Sequence, residues 1–377
     1  YLYVPAPETI FNEIKKLRPA EILVFNLDGN FFTKRYWNVE FQNSNQDEGD
    51  YAKQLRNLLE ESIDLRMVSD VPVGILLSSG IDSSLVATLA TKKSDDKLNT
   101  YTVGFEDITD SSYDELKESK DMANILGTDH HEIIVNSNDA FKLLDKVSWY
   151  LDEPFGNPTT TLNYIISEFA SRTSKVVLSG VGGDEMFGGY PKYKALKIFE
   201  DFGKFPKSFV KKFGTVFQKI PDKTSESVVK GKIFFDSWKD EPEDQYFSLV
   251  SYFKENDKQK LLNFKALPSR RFLDELFLES KKCNASSFFE KLFFVENMSY
   301  LPNNILEYTD KTSMAVSLEV REPLLDHKMA EFAANIPFSL KIKNGSMKYI
   351  LKLAMKDDLP KTVLNRKKRG FTPPLIN

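Results

Sequence analysis

Two serine- and glycine-rich segments, each carrying an aspartate, hold the residue types that handle phosphate. The first is Leu76-Leu77-Ser78-Ser79-Gly80-Ile81-Asp82-Ser83-Ser84. It follows the apolar run Val71 to Leu77 and opens a stretch of helical spacing at Leu85, Val86, Leu89 and Ala90. Small residues at a strand–turn–helix junction let the backbone come close to an anion. The free N–H groups and the dipole of the helix start favour phosphate there. Ser78, Ser83 and Ser84 add hydroxyl donors. Asp82 would repel a phosphate unless a cation lay between them, and Mg²⁺ is the natural bridge because it takes carboxylates and phosphate oxygens together. The Walker loop is excluded, since no Gly-Lys-Ser/Thr ending is present. The plainer alternative is a Ser-rich helix N-cap.

The second segment is Val177-Leu178-Ser179-Gly180-Val181-Gly182-Gly183-Asp184-Glu185-Met186-Phe187-Gly188-Gly189-Tyr190. It ends another apolar run. In parallel α/β sheets ligands bind at the carboxyl ends of the strands. Both segments are therefore expected to face one crevice, with Asp184 joining Asp82 on a shared metal and Gly180, Gly182 and Gly183 letting backbone approach a nucleotide. A tight turn with a solvated acidic pair is the plainer alternative.

The elements that must position these segments follow from the apolar pattern. Glu21 to Phe25 reads as a strand, Asp28-Gly29 as a hairpin turn and Phe31-Phe32 as the start of the return strand. Asn43 to Asp50 is polar and reads as a linker. Leu55, Leu58, Leu59, Ser62 and Ile63 then recur at helical spacing. Strands are expected at Val71 to Leu77, Thr100 to Phe105, Glu132 to Val135 and Lys175 to Ser179. Helical stretches lie between them, at Asp121 to Leu126 and Leu162 to Ser171. This alternation predicts an α/β fold, a parallel sheet with helices on both faces. Residues 195–300 are rich in Lys, Glu and Phe and read as a mostly helical lobe. Phe234-Phe235, Phe288-Phe289 and Phe293-Phe294 serve there as core filler rather than as a ligand groove.

Composition narrows the classes. The chain has 377 residues, 41% hydrophobic and 28% charged, enough for a large core and a second lobe. Lys and Arg total 51 against 55 Asp and Glu, a net charge of −4, which argues against a nucleic-acid binder. One cysteine, Cys283, excludes an internal disulfide, a Cys-rich zinc site and a two-cysteine sulfur relay, and fits a cytoplasmic location. No run approaches the roughly 20 apolar residues that span a bilayer. The chain opens on Tyr1 and stops at Asn377 after Pro373-Pro374, and reads as part of a longer polypeptide.

The first segment resembles the pyrophosphate loop of the N-type ATP pyrophosphatases, which cleave ATP between its α and β phosphates. The second, Ser-Gly-x-Gly-x-Asp-Glu-x-Phe-Gly-Gly-Tyr, resembles the synthetase domain of glutamine-dependent asparagine synthetases. Further matches follow in order: Asp152-Glu153-Pro154, Asp310-Lys311-Thr312-Ser313-Met314-Ala315, Glu319-Val320-Arg321-Glu322-Pro323-Leu324-Leu325-Asp326, Gly345 to Leu351 with Lys348, and Lys368-Arg369-Gly370-Phe371. Tyr3 to Trp37 resembles the passage out of that family's N-terminal glutaminase domain. The resemblance covers nearly the whole chain. It implies residues 1–50 as the tail of a missing glutaminase domain plus linker, and 51–377 as the synthetase domain with its lobe near 195–300.

The resemblance also implies a reaction. Such enzymes join a substrate carboxylate to AMP, release pyrophosphate, and let ammonia displace AMP to give an amide. Asp82 and Asp184 would hold Mg²⁺, and Ser78, Ser79, Gly80, Ile81, Asp82, Ser83 and Ser84 would hold pyrophosphate. Lys348 would stabilise charge on the α-phosphate and then on the tetrahedral intermediate. Leu76, Val103, Ser179 and Gly180 would line the AMP pocket. ATP, ammonia and a carboxylate, aspartate first, are the expected substrates. A glutaminase domain is the expected partner, with a homodimer left open.

Other residues are weighed in the same frame. Glu319, Arg321 and Asp326 are expected to form a buried ion-pair network. Asp310 and Lys311 read equally as an active-site wall or a helix cap. His130 and His131 are structural neighbours on opposite faces of a strand. Cys283 is core. Arg366 to Arg369 is a basic run whose family match suggests a phosphate contact.

Three positions depart from the family pattern. Ser79 stands where Gly is usual. Val181 stands where many asparagine synthetases carry an acid, and valine can take no proton. Asn157, in Phe155-Gly156-Asn157-Pro158, stands for a frequent aspartate on the substrate side. Adenylating residues are kept while Val181 and Asn157 drift; together with Asp310, Lys311 and Arg321 these are the acceptor-side candidates. A different carboxylate, such as a sugar uronic acid of surface polysaccharide or a lactam precursor, is the alternative to aspartate. A tRNA-modifying relative and a non-catalytic nucleotide-binding relative are the remaining readings.

Overall fold

The computed structural model describes residues 1–42, 46–106, 115–202, 238–264 and 268–366, with isolated positions 215, 220 and 232. Its centre is a five-stranded parallel sheet in the order β5-β4-β3-β6-β7. The strands are β3 (Val73–Leu76), β4 (Asn99–Phe105), β5 (Asp129–Val135), β6 (Val176–Leu178) and β7 (Glu319–Arg321). A two-stranded hairpin, β1 (Glu21–Phe25) and β2 (Phe31–Arg35), precedes them, as expected, with Phe25 opposite Phe31.

Each buried strand serves both faces, which is why its sequence is nearly continuous in apolar residues. Val73, Ile75 and Leu77 join one core cluster with Val176 and Leu178. Tyr101, Val103 and Val177 join another, with Leu76 and Val320 packed against it. The first cluster is covered by α1 (Glu48–Met67), α2 (Ile81–Thr91) and α3 (Leu116–Leu126). The chain then runs through two short helices, α4 (Ser137–Lys142) and α5 (Leu144–Leu151), to α6 (Thr159–Ala170), whose Ile165, Ile166 and Ala170 cover the second cluster. The protein is thus of the α/β class, with helices on both faces of the sheet.

Chain direction across the sheet reverses at β3. From β3 the chain steps outward to β4 and β5, then returns to place β6 on the other side of β3. This makes β3/β6 a topological switch point, where the loops at the two carboxyl ends diverge and leave a crevice. The serine-rich segment leaves β3 there and the glycine-rich segment leaves β6.

After β6 come α7 (Gly183–Phe187) and α8 (Pro191–Phe202), then the helical lobe. Its described helices include Pro242–Val250, Arg270–Ser280 and Phe288–Met298. Ser287 caps the last of these reciprocally with Glu290, two donors satisfied at once. Phe289, Phe293 and Phe294 are buried, so these phenylalanines fill core; Phe234-Phe235 lie outside the described residues. Cys283 is buried as expected, its Sγ accepting from Asn38 Nδ2 at 2.8 Å.

Two expectations need correction. The linker is shorter than Asn43 to Asp50: Asp47 already caps α1, its carboxylate accepting the Asp50 N–H at 2.8 Å, so Glu48 to Asp50 form the first turn. The Glu319–Arg321–Asp326 network does not form. Arg321 donates to the carbonyls of Arg66 and Val68 at 2.7 and 2.8 Å and pairs with an exposed Glu319, whereas Asp326 pairs with Arg66 at 3.0 Å. The guanidinium closes the end of α1 instead of meeting the second acid. The residues Glu319 to Arg321 form instead the fifth strand, β7, whose two charges in three residues hide it from the apolar pattern.

Candidate active site

The two segments meet at the switch point. Gly80 caps α2 in extended backbone, and the loop before it closes on itself through hydroxyls. Ser78 Oγ lies 2.8 Å from Ser83 Oγ, Ser83 Oγ receives the Ser78 N–H at 3.1 Å, and Ser78 Oγ receives the Gly80 N–H at 3.2 Å. Ser78 and Ser83 thus shape the loop. Ser84 is fully buried under it, and Ile81 packs toward the core beneath α2. Ser79, the residue in place of Gly, is buried. Its carbonyl accepts from Arg366 Nη1 at 2.6 Å, and its N–H points at Glu115 Oε2, 3.4 Å away.

The glycine-rich loop presses against this one. Ser179 continues the β6–β7 ladder, its N–H donating to the Arg321 carbonyl at 2.9 Å, and its hydroxyl accepts the Val181 N–H at 3.1 Å. A Cβ on Gly180 would stand 2.6 Å from the Ser83 nitrogen, so only glycine lets the loops approach this closely. Of the expected apolar wall, Val103 of β4 belongs to the second core cluster and Leu76, paired with Tyr101 across β3 and β4, packs against it.

Between the loops stands Lys348. It follows a second hairpin, β8 (Ile342–Lys343) and β9 (Ser346–Met347), whose Asn344-Gly345 turn has positive φ at both positions, the geometry that Asn-Gly favours. Lys348 itself holds φ +54° before the helix Tyr349–Ala354. Its Nζ donates to Asp82 and lies 2.6 Å from an oxygen of Asp184 near the start of α7. Only 4% of Lys348 is exposed. Burial pulls its ammonium down, but the Asp82 and Asp184 carboxylates overcome this and hold it charged well above the ordinary lysine value. A Cβ on Gly189 would overlap both Asp184 and Lys348 Cε, so this glycine is a condition of the arrangement.

Three residues distant in sequence, Asp82, Asp184 and Lys348, therefore meet at one point. The acceptor-side candidates lie elsewhere on the wall. Asn157 Nδ2 donates to Asn304 Oδ1 at 2.9 Å, and its own Oδ1 receives the Thr159 N–H at 3.0 Å. Lys311 Nζ donates to the Leu151 carbonyl at 2.8 Å and pairs with Glu307 at 3.0 Å, so it ties the helix Glu307–Met314 to the end of α5. Asp310 is exposed on that helix and Val181 is partly buried. His130 and His131 bond to Thr100 and Asn99 of the adjacent strand, at 2.9 and 3.2 Å. Arg366 is the one member of the basic run inside the described residues; Lys368, Arg369, Gly370 and Phe371 lie outside them. Glu115 at the loop was not singled out by spacing, because its partner is a backbone N–H distant in sequence; Arg366, expected as part of the basic run, reaches the Ser79 carbonyl.

A family model described as asparagine synthase matches residues 54–377. The chain belongs to the asparagine synthase family. Among its relatives is glutamine-hydrolyzing asparagine synthetase 1 of Bacillus subtilis (strain 168), 31% identical over 375 residues and covering 100% of this chain. A putative glutamine-hydrolyzing asparagine synthetase 2 of Methanocaldococcus jannaschii is 38% identical over 190 residues, half of this chain and 36% of its own length. Amidase chry2 of Gibberella zeae is 25% identical over 411 residues, covering 97% of this chain and 59% of its own length. The chain spans 58% of the Bacillus relative's length. Among solved structures, an NH3-dependent NAD synthetase from Campylobacter jejuni matches with a TM-score of 0.29 and 15% identity, covering 70% of this chain and 96% of that one.

Proposed function

We propose that this member of the asparagine synthase family is an AMP-forming amide ligase. It activates a carboxylate with ATP, releases pyrophosphate, and exchanges AMP for ammonia. The observation that carries the reading is the convergence of Asp82, Asp184 and Lys348 at the switch point. A buried carboxylate pair around one cation is costly to desolvate and is a poor way to stabilise a fold. It is a good way to manage phosphate charge.

The roles follow from position. The start of α2 receives the leaving pyrophosphate, in a loop that Ser78 and Ser83 hold in shape. Leu76, Val103, Ser179 and Gly180 offer apolar and backbone contacts to the adenosine end. Asp82 and Asp184 form an all-oxygen pair whose chemistry fits Mg²⁺ shared with phosphate oxygens. When bound, Mg²⁺ supplies neutralising charge to the departing pyrophosphate. Lys348 keeps its proton and donates it as a hydrogen bond, first to an α-phosphate oxygen and later to the oxyanion made when nitrogen adds to the acyl carbon.

The acceptor is proposed as aspartate, giving asparagine. Val181 and Asn157 support the second reading, a different carboxylate such as a uronic acid. Residues 1–50 are proposed as the end of a glutaminase domain that supplies ammonia in the longer protein, in keeping with the relatives' names and the share of their length matched. A cytoplasmic site of action goes with this reading; no helix among the described residues is long and apolar enough to cross a membrane. ATP–pyrophosphate exchange in Mg²⁺, with aspartate beside a panel of uronic acids and amino-acid carboxylates, tests the proposal. Exchange with one acid, and AMP plus amide on adding ammonium, is the expected result. Absence of exchange with every acid overturns it.

A further inference from the structure

Amide formation leaves a surplus proton on nitrogen, and something in the crevice must take it. The residues of the nucleotide side are committed elsewhere: Lys348 is a donor, and it holds Asp82 and Asp184. Val181, at the acceptor end of the glycine loop, has no basic atom. Glu185 is buried and accepts from the Tyr190 hydroxyl.

Glu322 is the first residue beyond the carboxyl end of β7. It is fixed beside the glycine loop from both sides in sequence. Just before it, the Arg321 carbonyl receives the Ser179 N–H at 2.9 Å. Just after it, Leu325 packs on Gly182, so closely that a Cβ on this glycine would overlap the leucine. The segment Ser179 to Gly182 carries Val181, and Glu322 is thus held next to it at the same end of the sheet. Strand alternation turns Glu322 away from Arg321, which faces α1, and toward the side of Val320 and the helix Glu307–Met314. Its side chain makes no hydrogen bond or ion pair to another side chain among the described residues. The charged groups that reach it are Asp310 from that helix and Arg66 from α1; Arg66 is itself paired with Asp326.

We propose that Glu322 is the catalytic base of the ammonia half-reaction, a role that rests on the ligase reading above. The nitrogen lone pair forms the C–N bond to the acyl-adenylate carbon, and the carbonyl π pair moves to oxygen. The Glu322 carboxylate takes one proton from the nitrogen. The oxyanion then re-forms C=O, the C–O bond to AMP breaks, and AMP leaves with that electron pair. Burial, and then the Asp310 carboxylate, push the Glu322 carboxyl up to about 7 against the pull of Arg66, so it is poised to exchange a proton near neutral pH.

Glu322→Gln tests this with two readouts on the same chain. Pyrophosphate exchange, which needs no ammonia, is expected to stay within about twofold of the parent. Amide formation from ammonium chloride is expected to fall at least about 100-fold, the low end for a general base. Glu322→Asp should keep part of the rate, and the limb of the pH–rate profile near neutrality should vanish in the Gln variant alone. Glu322→Gln should also melt higher at pH 8, since the neutral isostere has no charge to desolvate, which separates lost chemistry from lost folding. Unchanged amide formation, or exchange falling in step with it, overturns the role of Glu322 and leaves the ligase reading standing. Failure of the parent chain to exchange with any acid, or to form amide from ammonium, overturns both.

Discussion

The two walls of the crevice follow different rules. On the nucleotide wall, Asp82, Asp184 and Lys348 come from three separate segments and concentrate charge in a buried place, where desolvation works against them. On the acceptor wall, Asn157 and Lys311 are satisfied by neighbours, an amide of Asn304 and a carbonyl of Leu151. The first wall stores electrostatic potential for a reaction. The second maintains a shape. A shape can be altered residue by residue while the stored potential is kept, so under the proposed function the acceptor could change without loss of the activating step.

The sharpest way to break this contrast is Lys348→Met. Pyrophosphate exchange should fall by about 100- to 1,000-fold, as when one preorganised donor is removed. The metal-free protein should also lose about 3–5 kcal/mol, because two carboxylates are left facing each other in a buried site. Mg²⁺ should return part of that stability, and melting curves with and without it give the measurement. A loss of exchange under tenfold would put the charge cluster on a level with the opposite wall.

Gly189→Ala comes next. The new methyl would intrude between Asp184 and Lys348, and a cost of about 1–3 kcal/mol carried into the activated state makes exchange drop roughly 5- to 150-fold. Full activity in this variant would mean that the cluster tolerates displacement and is less tightly specified than its contacts indicate.

A second buried lysine shows what pairing does. Lys341 is as buried as Lys348 but makes no ion pair among the described residues; its ammonium lies 4.2 Å from the Phe293 ring. Burial drives it down to about 7 from the ordinary 10.5, although the ring face favours the charged form. Between pH 7 and 10.5 the folded chain thus binds fewer protons than the unfolded chain, so stability should rise with pH across that window. Lys341→Met should raise the melting temperature most below pH 7 and flatten the pH dependence. An unchanged slope between pH 6 and 9 would show that Phe293 and its surroundings already solvate the charge.

The smallest effect is expected at Asn157→Asp. Exchange with the preferred acid should remain within about threefold, as for a substitution that leaves the core intact, while KM for the acid shifts. A fall in exchange comparable to that of Lys348→Met would make the acceptor wall part of the activating machinery.

Local pattern was enough to read much of the molecule. β1 matches its expected span, and the sheet strands β3 to β6 lie within a few residues of theirs, because each is a short apolar run bounded by turn residues. The loops after β3 and β6 were legible because runs of Ser and Gly interrupt the apolar pattern at the carboxyl end of a strand. Lys348 was found through resemblance; no local pattern shows that its backbone adopts positive φ or that a hairpin aims it at Asp82. β7 escaped notice because Glu319 and Arg321 look like an ion-pair motif when only sequence is in view. The pairs Asn157–Asn304 and Arg366–Ser79 were equally hidden, since polar contacts across such separations leave no periodicity to read.

The helical lobe lies between β6 and β7, which are neighbours in the sheet. At roughly 5–20 residues per second, on the order of ten seconds of synthesis separate Leu178 from Arg321 on the ribosome. Through that interval β6 has an open edge that only the late segment can close, and the same late segment delivers Lys348. A nascent chain in this state already carries the serine loop but has no lysine to set against Asp82 and Asp184. The cluster of Asp82, Asp184 and Lys348 is therefore among the last parts of the crevice to be completed.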